Sequence, residues 1–173
     1  MASSDPVLGT VMNMNDVTDK KSGPVAGSIT LGVGLVYEDG ANGWKQAPTD
    51  GTIHADELYW NPTAKTSTAT LGGVTGTFYG EGAKVIGKAD GAIVVDNKVK
   101  ASTTSAHGGQ LISLADPAAG TTPTAGQLDV ITAWVKNKIA IYKGHANEVN
   151  NVGAVATDAV DEDINCVFQV TRG

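Results

Sequence analysis

Residues 74–116 read VTGTFYGEGAKVIGKADGAIVVDNKVKASTTSAHGGQLISLAD, and this stretch decides what fold we expect. Short β-branched and apolar runs alternate there with Gly, Asp-Gly and Asp-Asn, which are residues that tight turns prefer. Such a pattern predicts several short strands joined by hairpins. A similar order of apolar strand, acidic turn and Lys-containing strand occurs earlier, in GLVYEDGANGWKQA at residues 34–47. The chain therefore reads as a series of hairpins.

The composition agrees with a single β-rich domain. The chain has 173 residues, which is enough to bury a core without disulfides or metals. Val, Ile and Thr are frequent, and 22 glycines supply turn positions. We therefore predict a mainly β fold, an antiparallel β-barrel or β-tulip-like sandwich, with an aliphatic core.

Charge and the N-terminal sequence bear on the class of partner. The net charge is −6, and Arg172 is the single arginine among the 12 basic residues, so we expect no nucleic-acid binding. The first residues, MASSDPVLGTVMNMND, have no basic segment followed by a long apolar run, so we expect neither a signal peptide nor a membrane anchor. These patterns are typical of a soluble protein made in a cytoplasm.

The first 27 residues differ from the rest of the chain. They are polar and weakly patterned, so we predict an extended N-terminal arm over residues 1–27, with a turn at Ser22-Gly23-Pro24, before a single domain over residues 28–173. Too little apolar periodicity is present for an independent core element, and we expect a partner surface to hold the arm through main-chain hydrogen bonds. The apolar residues that could anchor it are Val7, Leu8, Val11 and Met12.

Hydrophobic alternation places the strands, and one segment has a helical period. We expect a first hairpin in residues 28–51, broken at Gly32 and Gly34, and later strands in GTFYG, AKVIGKA, GAIVVD, KVKAST, QLISLAD, KIAIYKGH and DINCVFQVTRG. The Thr-rich segment 54–73 carries Pro62 and is expected to be a loop or an edge strand. Residues 117–126 read as a loop of small residues. One helix is predicted near residues 125–138, with Thr124 as its N-cap.

The sequence offers few candidates for catalysis or metal binding. His54 and Asp56 would share one face of a strand, but two ligands do not complete a site, and a solvated loop is the alternative. His145, beside Asn147 and Glu148, fits an exposed polar turn better than an acid–base pair. We interpret His107 as a turn cap and Cys166 as a small buried apolar residue within an alternating strand. We therefore predict no enzyme activity, no cofactor and no bound metal.

Two further groups allow more than one interpretation. Asp158, Asp161, Glu162 and Asp163 could gather calcium, but they lack the spacing of calcium loops, and a charged turn is favoured. A second group contains the aromatic residues Trp44, Tyr59 and Trp60. Adjacent residues of a strand face opposite sides, so one of the last two would point outward as an interface anchor. Core capping and sugar stacking are the alternatives.

The segment GKADGAIVVDNKVKAST, followed by the strand LISL, resembles the small head-decoration, or cementing, proteins of tailed viruses of bacteria and archaea. The similarity covers residues 33–47 and 79–116, with a weaker echo in ATDAVDEDINCVFQV at residues 156–170. Proteins of this group are small and β-rich, usually lack catalytic residues, and often form trimers on the outer surface of the capsid. An N-terminal arm frequently joins them to the capsid proteins below.

The resemblance implies a function. We expect a structural virion protein that binds the major capsid protein, stabilises the capsid from outside and forms a homotrimer. The helix and the loop at residues 117–126 depart from the group's pattern, and we interpret the loop as a surface excursion. The alternative function is a carbohydrate- or receptor-binding module displayed on the virion through Trp44, Tyr59 and Trp60.

Overall fold

The structure is a computed structural model that describes residues 7–49, 58–68, 73–94, 96–115, 124, 125, 128, 140–145, 155–156 and 165–171. Within these residues the protein is mainly β, as the sequence predicts, and is built from two five-stranded antiparallel sheets. Two further pairs of short strands accompany the sheets: β2 (Thr30–Leu31) with β6 (Lys65–Thr66), and β9 (Ile93–Val94) with β13 (Val155–Ala156).

The first sheet has the strand order β1-β7-β5-β3-β4. Its strands are β1 (Lys20–Pro24), β3 (Gly34–Glu38), β4 (Trp44–Gln46), β5 (Leu58–Asn61) and β7 (Thr75–Tyr79). A short 3₁₀ turn at Gly40–Asn42 joins β3 to β4 in the hairpin that the sequence predicts.

The second sheet has the order β11-β10-β12-β14-β8. Its strands are β8 (Lys84–Lys88), β10 (Lys98–Ala101), β11 (Leu111–Ser113), β12 (Ala140–His145) and β14 (Asn165–Val170). All five lie in segments that the sequence predicts to be strands.

Each sheet curls into a half-barrel, so that the two outer strands of the same sheet approach each other. In the first sheet the chain leaves β1 at Val25, which forms a parallel bridge with Trp44 of β4. In the second sheet Ala89, just after β8, forms a parallel bridge with Leu111 of β11. These bridges shorten the unpaired strand edges that a flat sheet would expose.

The two faces of the first sheet bury different cores. In β5, Leu58 and Trp60 face a core shared with the second sheet, where they join side chains such as Phe168. Tyr59 faces the opposite way, into a smaller core with Trp44, Phe78, Val25, Leu31 and Val36. The alternation predicted from the sequence is therefore present, but each face is covered.

Two expectations about these elements are wrong. A loop or edge strand is expected over residues 54–73, yet residues 58–61 form β5, which is fully buried between β3 and β7 in the middle of the sheet. Pro62 itself lies just after the end of β5. Residues 20–24, expected to be arm and turn, form β1 and pair with β7 over their whole length.

The helix prediction falls mostly outside the described residues. Ala125 and Leu128 are helical, and the Leu128 amide donates to the Thr124 carbonyl at 3.0 Å, as expected for a helix that begins after Thr124. Leu128 is 53% exposed.

Candidate interaction surface

The N-terminal segment binds its own domain. We call residues 7–25 the strap. Gly9 N donates to Ile86 O at 2.8 Å, Ile86 N donates to Thr10 O at 2.9 Å, and Met12 N donates to Lys84 O at 2.7 Å. The strap thus acts as a short additional strand along the edge of β8 and satisfies backbone groups there.

Two polar side chains of the strap hold the turn between β7 and β8. Asn13 accepts a hydrogen bond from Lys84 N at 2.7 Å and donates to Gly82 O at 2.9 Å. Asp19 accepts from Glu81 N at 2.8 Å and from the Tyr59 hydroxyl at 3.0 Å. Side chains of Asn and Asp often form hydrogen bonds with the backbone groups of a turn close to them in sequence. Here the turn lies more than 60 residues from Asn13 and Asp19.

The strap then enters the first sheet. Val17 lies in the core between the sheets, β1 pairs with β7, and Val25 lies in the smaller core. The strap therefore fastens the edge of one sheet to the edge of the other. The segment turns at residues 8–9 and 12–16 before it enters β1, so it is not extended throughout. The surface that holds it belongs to this chain, so the prediction of a separate extended arm is wrong for residues 9–25.

The predicted apolar anchors of the arm divide into two pairs. Leu8 and Val11 are half-buried, and Val11 packs against the core between the sheets. Val7 and Met12 are 72% and 52% exposed, and Met14, an apolar residue outside the predicted anchors, is 49% exposed. We call Val7, Met12 and Met14 the strap patch. They are three of the four large exposed apolar side chains among the described residues.

The aromatic residues predicted to include an outward anchor are all buried. Trp44 and Trp60 are 1% exposed and Tyr59 is 4% exposed, so the outward orientation is wrong in the isolated chain. Trp44 stacks on Phe78 with ring centroids 4.2 Å apart. Trp60 Nε1 donates to Gly9 O at 3.2 Å, which ties the strap to the first sheet. Curling gives both faces of the sheet a core, and a strand pattern alone does not reveal this.

A polar cluster lies where the second sheet closes. Ser102 donates its hydroxyl hydrogen to Asp90, and His107 Nδ1 lies 2.8 Å from the other oxygen of the same carboxylate. Burial by itself raises the pKa of Asp90, but hydrogen bonds from Ser102, His107 and Thr104 outweigh it, so the pKa lies below its ordinary value of 3.8.

This cluster does not have the geometry of a nucleophilic triad. In such a triad the imidazole stands between the hydroxyl and the carboxylate and takes the hydroxyl proton. Here the carboxylate stands between Ser102 and His107, so it orders both side chains. His107 also lies in a turn, where its amide donates to Thr104 O at 2.9 Å.

The other residues considered for catalysis or metal binding lie in strands or outside the described residues. His145 ends β12, and Cys166 is buried in β14, as predicted. The other predicted positions lie outside the described residues: His54, Asp56, Asn147, Glu148 and the acidic group at residues 158–163. Among the residues that the structure does describe, no three His, Cys, Asp or Glu side chains gather as metal ligands, and no helix is long and apolar enough to cross a membrane.

Comparisons with protein-family models, with curated proteins and with solved structures found no match to this chain.

Proposed function

We propose that the protein is a structural virion protein that binds the major capsid protein on the outer surface of a capsid and stabilises it. The observation that carries this proposal is the strap patch. Val7, Met12 and Met14 remain open to solvent on a segment that is itself fastened to the domain. Large apolar side chains that stay exposed on an ordered segment can mark sites of protein–protein contact.

The fastening supports the proposal energetically. A free arm would lose conformational entropy on binding, whereas residues 9–13 are already held by five hydrogen bonds to the second sheet and the turn before it. Burying a large apolar side chain contributes about 1.5–3 kcal/mol when it moves fully out of water. These side chains are already partly covered, so each contact is weaker, and a decoration protein would stabilise a shell by repeating such contacts at many copies.

The proposed attachment is tested with capsids that lack the protein. Wild type is added back and compared with a triple variant, V7S/M12S/M14S, and with a control, N15S/D16N/T18S, that changes exposed polar residues of the same strap. We expect wild type and control to bind and to raise the temperature of capsid disruption. The strap-patch variant should bind at least about tenfold more weakly, which corresponds to a loss of about 1.4 kcal/mol.

Two outcomes of this experiment contradict the proposal at different points. If wild type fails to raise the disruption temperature, the cementing function is wrong. If the strap-patch variant binds as well as wild type, the protein attaches through another surface. Sedimentation of the free protein tests the proposed homotrimer, and a single species with the mass of one chain would overturn it.

A carbohydrate- or receptor-binding module remains the second candidate from the sequence. Binding of a sugar would require exposed rings at Trp44, Tyr59 and Trp60. These side chains are buried in the two cores, so none of them offers an open face to a sugar ring. No contact among the described residues favours this function. Binding on a glycan array that survives in the strap-patch variant would support it over cementing.

A further inference from the structure

The loop between β10 and β11, two strands of the second sheet, also contacts the first sheet. We call residues 102–110 the seam loop. Its base is closed by Ser102 N, which donates to Gln110 O at 2.9 Å. Its far end reaches the first sheet, where Leu35 N donates to Gly109 O at 3.1 Å. Gly34 and Gly109 lie so close that a Cβ on Gly34 would overlap the Gly109 carbonyl.

The polar cluster fixes this loop at the point where the second sheet closes. Asp90 N donates to Leu111 O at 2.7 Å, beside the Ala89–Leu111 bridge. The Asp90 carboxylate then binds Ser102 at the base of the loop and His107 near its end. The side chains of Asp90 and His107 are only 7% and 16% exposed, so their interaction is partly shielded from solvent.

We propose that Asp90 and His107 form a protonation-dependent latch that holds the seam loop against both sheets. The ionised carboxylate accepts a hydrogen bond from Nδ1 of either neutral or protonated imidazole. Protonation of His107 adds a charge–charge attraction across 2.8 Å, so the latch is tighter when the imidazole is charged. The proposal concerns the fold itself and does not depend on the proposed function.

The charges around the latch define a pH window. His107 is the charged group that acts on Asp90, and the other groups that act on it are the hydroxyl residues Ser102 and Thr104. β11 has no charged residue, and Lys88 of β8 and Lys100 of β10 make no hydrogen bond to the cluster within the described part of the chain.

Both ends of the window follow from the two side chains. At the acid end, stability from Asp90 is lost as pH falls through its lowered pKa, below the ordinary value of 3.8. At the upper end, the added attraction disappears once His107 has lost its proton. The latch is therefore tighter at pH 5, where Asp90 is ionised, than at a higher pH where the imidazole of His107 is neutral.

Amide hydrogen exchange of the intact protein tests the latch directly. The amides of Leu35 and Asp90 donate the two hydrogen bonds on which the seam loop and the closing bridge depend. Val25 serves as a reference away from the latch, because its amide donates to Val74 O at 2.8 Å next to the β1–β7 pair. After correction for intrinsic exchange, protection of Leu35 and Asp90 relative to Val25 should be about threefold or more higher at pH 5 than at pH 8. An equal ratio at both pH values overturns the proposal.

Variants show whether His107 is the group responsible. H107Q should remove the pH dependence of the protection ratio, while H145Q, which removes another imidazole of the second sheet, should keep it. If H145Q abolishes the dependence and H107Q keeps it, the latch is assigned to the wrong residue. If H107Q does not fold, the wild-type ratio together with H145Q still decides the question.

Discussion

At the scale of single residues, glycines set the distance between the two sheets. Gly87 of β8 faces Trp60, and a methyl group at this glycine would lie 2.6 Å from the indole ring. Gly34 has a φ of +135° and meets the backbone of Gly109. Larger side chains at these positions would separate the sheets or displace the seam loop.

This contact predicts a large effect of G34A. The variant must adopt an unfavourable positive φ and must also displace the Gly109 carbonyl, so we expect a loss of at least about 3 kcal/mol in the free energy of unfolding. Gly82 offers a matched control, because it has a φ of +85° with no atom near the added methyl group. G82A should cost only about 1 kcal/mol. Equal losses in urea unfolding would show that the Gly34–Gly109 contact is unimportant.

The lowered pKa of Asp90 predicts a second effect at this scale. The side chain is buried and bound by Ser102 and His107, so D90N should lower the free energy of unfolding by about 2 kcal/mol at pH 6. Because a lowered carboxyl pKa contributes stability that is lost as pH falls through it, the difference between wild type and D90N should shrink below pH 3.8.

Urea unfolding at pH 6, 4 and 3 measures this difference. D16N, which changes an exposed carboxylate of the strap, should leave the stability nearly unchanged at pH 6. A difference between wild type and D90N that stays constant down to pH 3 would mean that the carboxylate charge contributes nothing at this position.

At the scale of elements, the strap acts as an edge strand that is too short and irregular to show an alternating pattern. Its contact with β8 rests on backbone groups of Gly9, Thr10 and Met12, so the side chain of Met12 can stay exposed while its amide is bound. This arrangement separates the part of the residue that stabilises the fold, its amide, from the side chain, which stays exposed.

The separation predicts different effects for two substitutions at Met12. M12P removes the amide that donates to Lys84 O and should lower the free energy of unfolding by about 2–3 kcal/mol. M12S keeps the amide and changes an exposed side chain, so it should alter stability by less than about 0.5 kcal/mol. Thermal unfolding of both variants measures this, and equal stabilities would show that the strap is not bound at Met12.

At the scale of the whole molecule, the strap belongs to the folding unit. Removing residues 2–22 would delete Val17 from the main core, most of β1 from the first sheet and the hydrogen bonds along β8. Treating residues 1–27 as a separate arm leads to the opposite expectation, a folded and soluble domain that has merely lost its attachment.

We therefore expect the truncated chain to be unfolded or aggregated. Exposure of the β8 edge favours pairing with other chains, and the lost core contacts add several kcal/mol, roughly the whole stability of a small domain. Circular dichroism and gel filtration of the truncated chain check this. A monomeric chain with a cooperative unfolding transition near that of wild type would return residues 2–22 to the role of an arm.

Much of the fold was predictable because its signals are local. Gly32 and Gly34 interrupt the first alternating run, and the structure has a break between β2 and β3 at the same place. The later strands were predicted from β-branched runs between turn residues. The position of β5 was missed because Pro62 argued for an edge, although a proline just after a strand removes no hydrogen bond from it.

The surface was less predictable because its contacts are distant in sequence. Asn13 and Asp19 look like ordinary polar residues of an arm, and their partners at Gly82, Lys84, Glu81 and Tyr59 lie some 40 to 71 residues away. Apolarity alone predicts Val7 and Met12 as anchors, and the same criterion predicts Leu8 and Val11, which are half-buried. Only the three-dimensional pairing with β8 distinguishes the two pairs.

Amide exchange of the strap in the isolated protein shows whether this segment is held by its own domain before any partner binds. The amides of Gly9 and Met12 donate to Ile86 and Lys84, so we expect them to exchange at least about 100-fold more slowly than in an unfolded chain. Exchange of both amides at the unfolded rate, with protection appearing only after the protein binds a capsid, would mean that the partner and not the domain holds the strap.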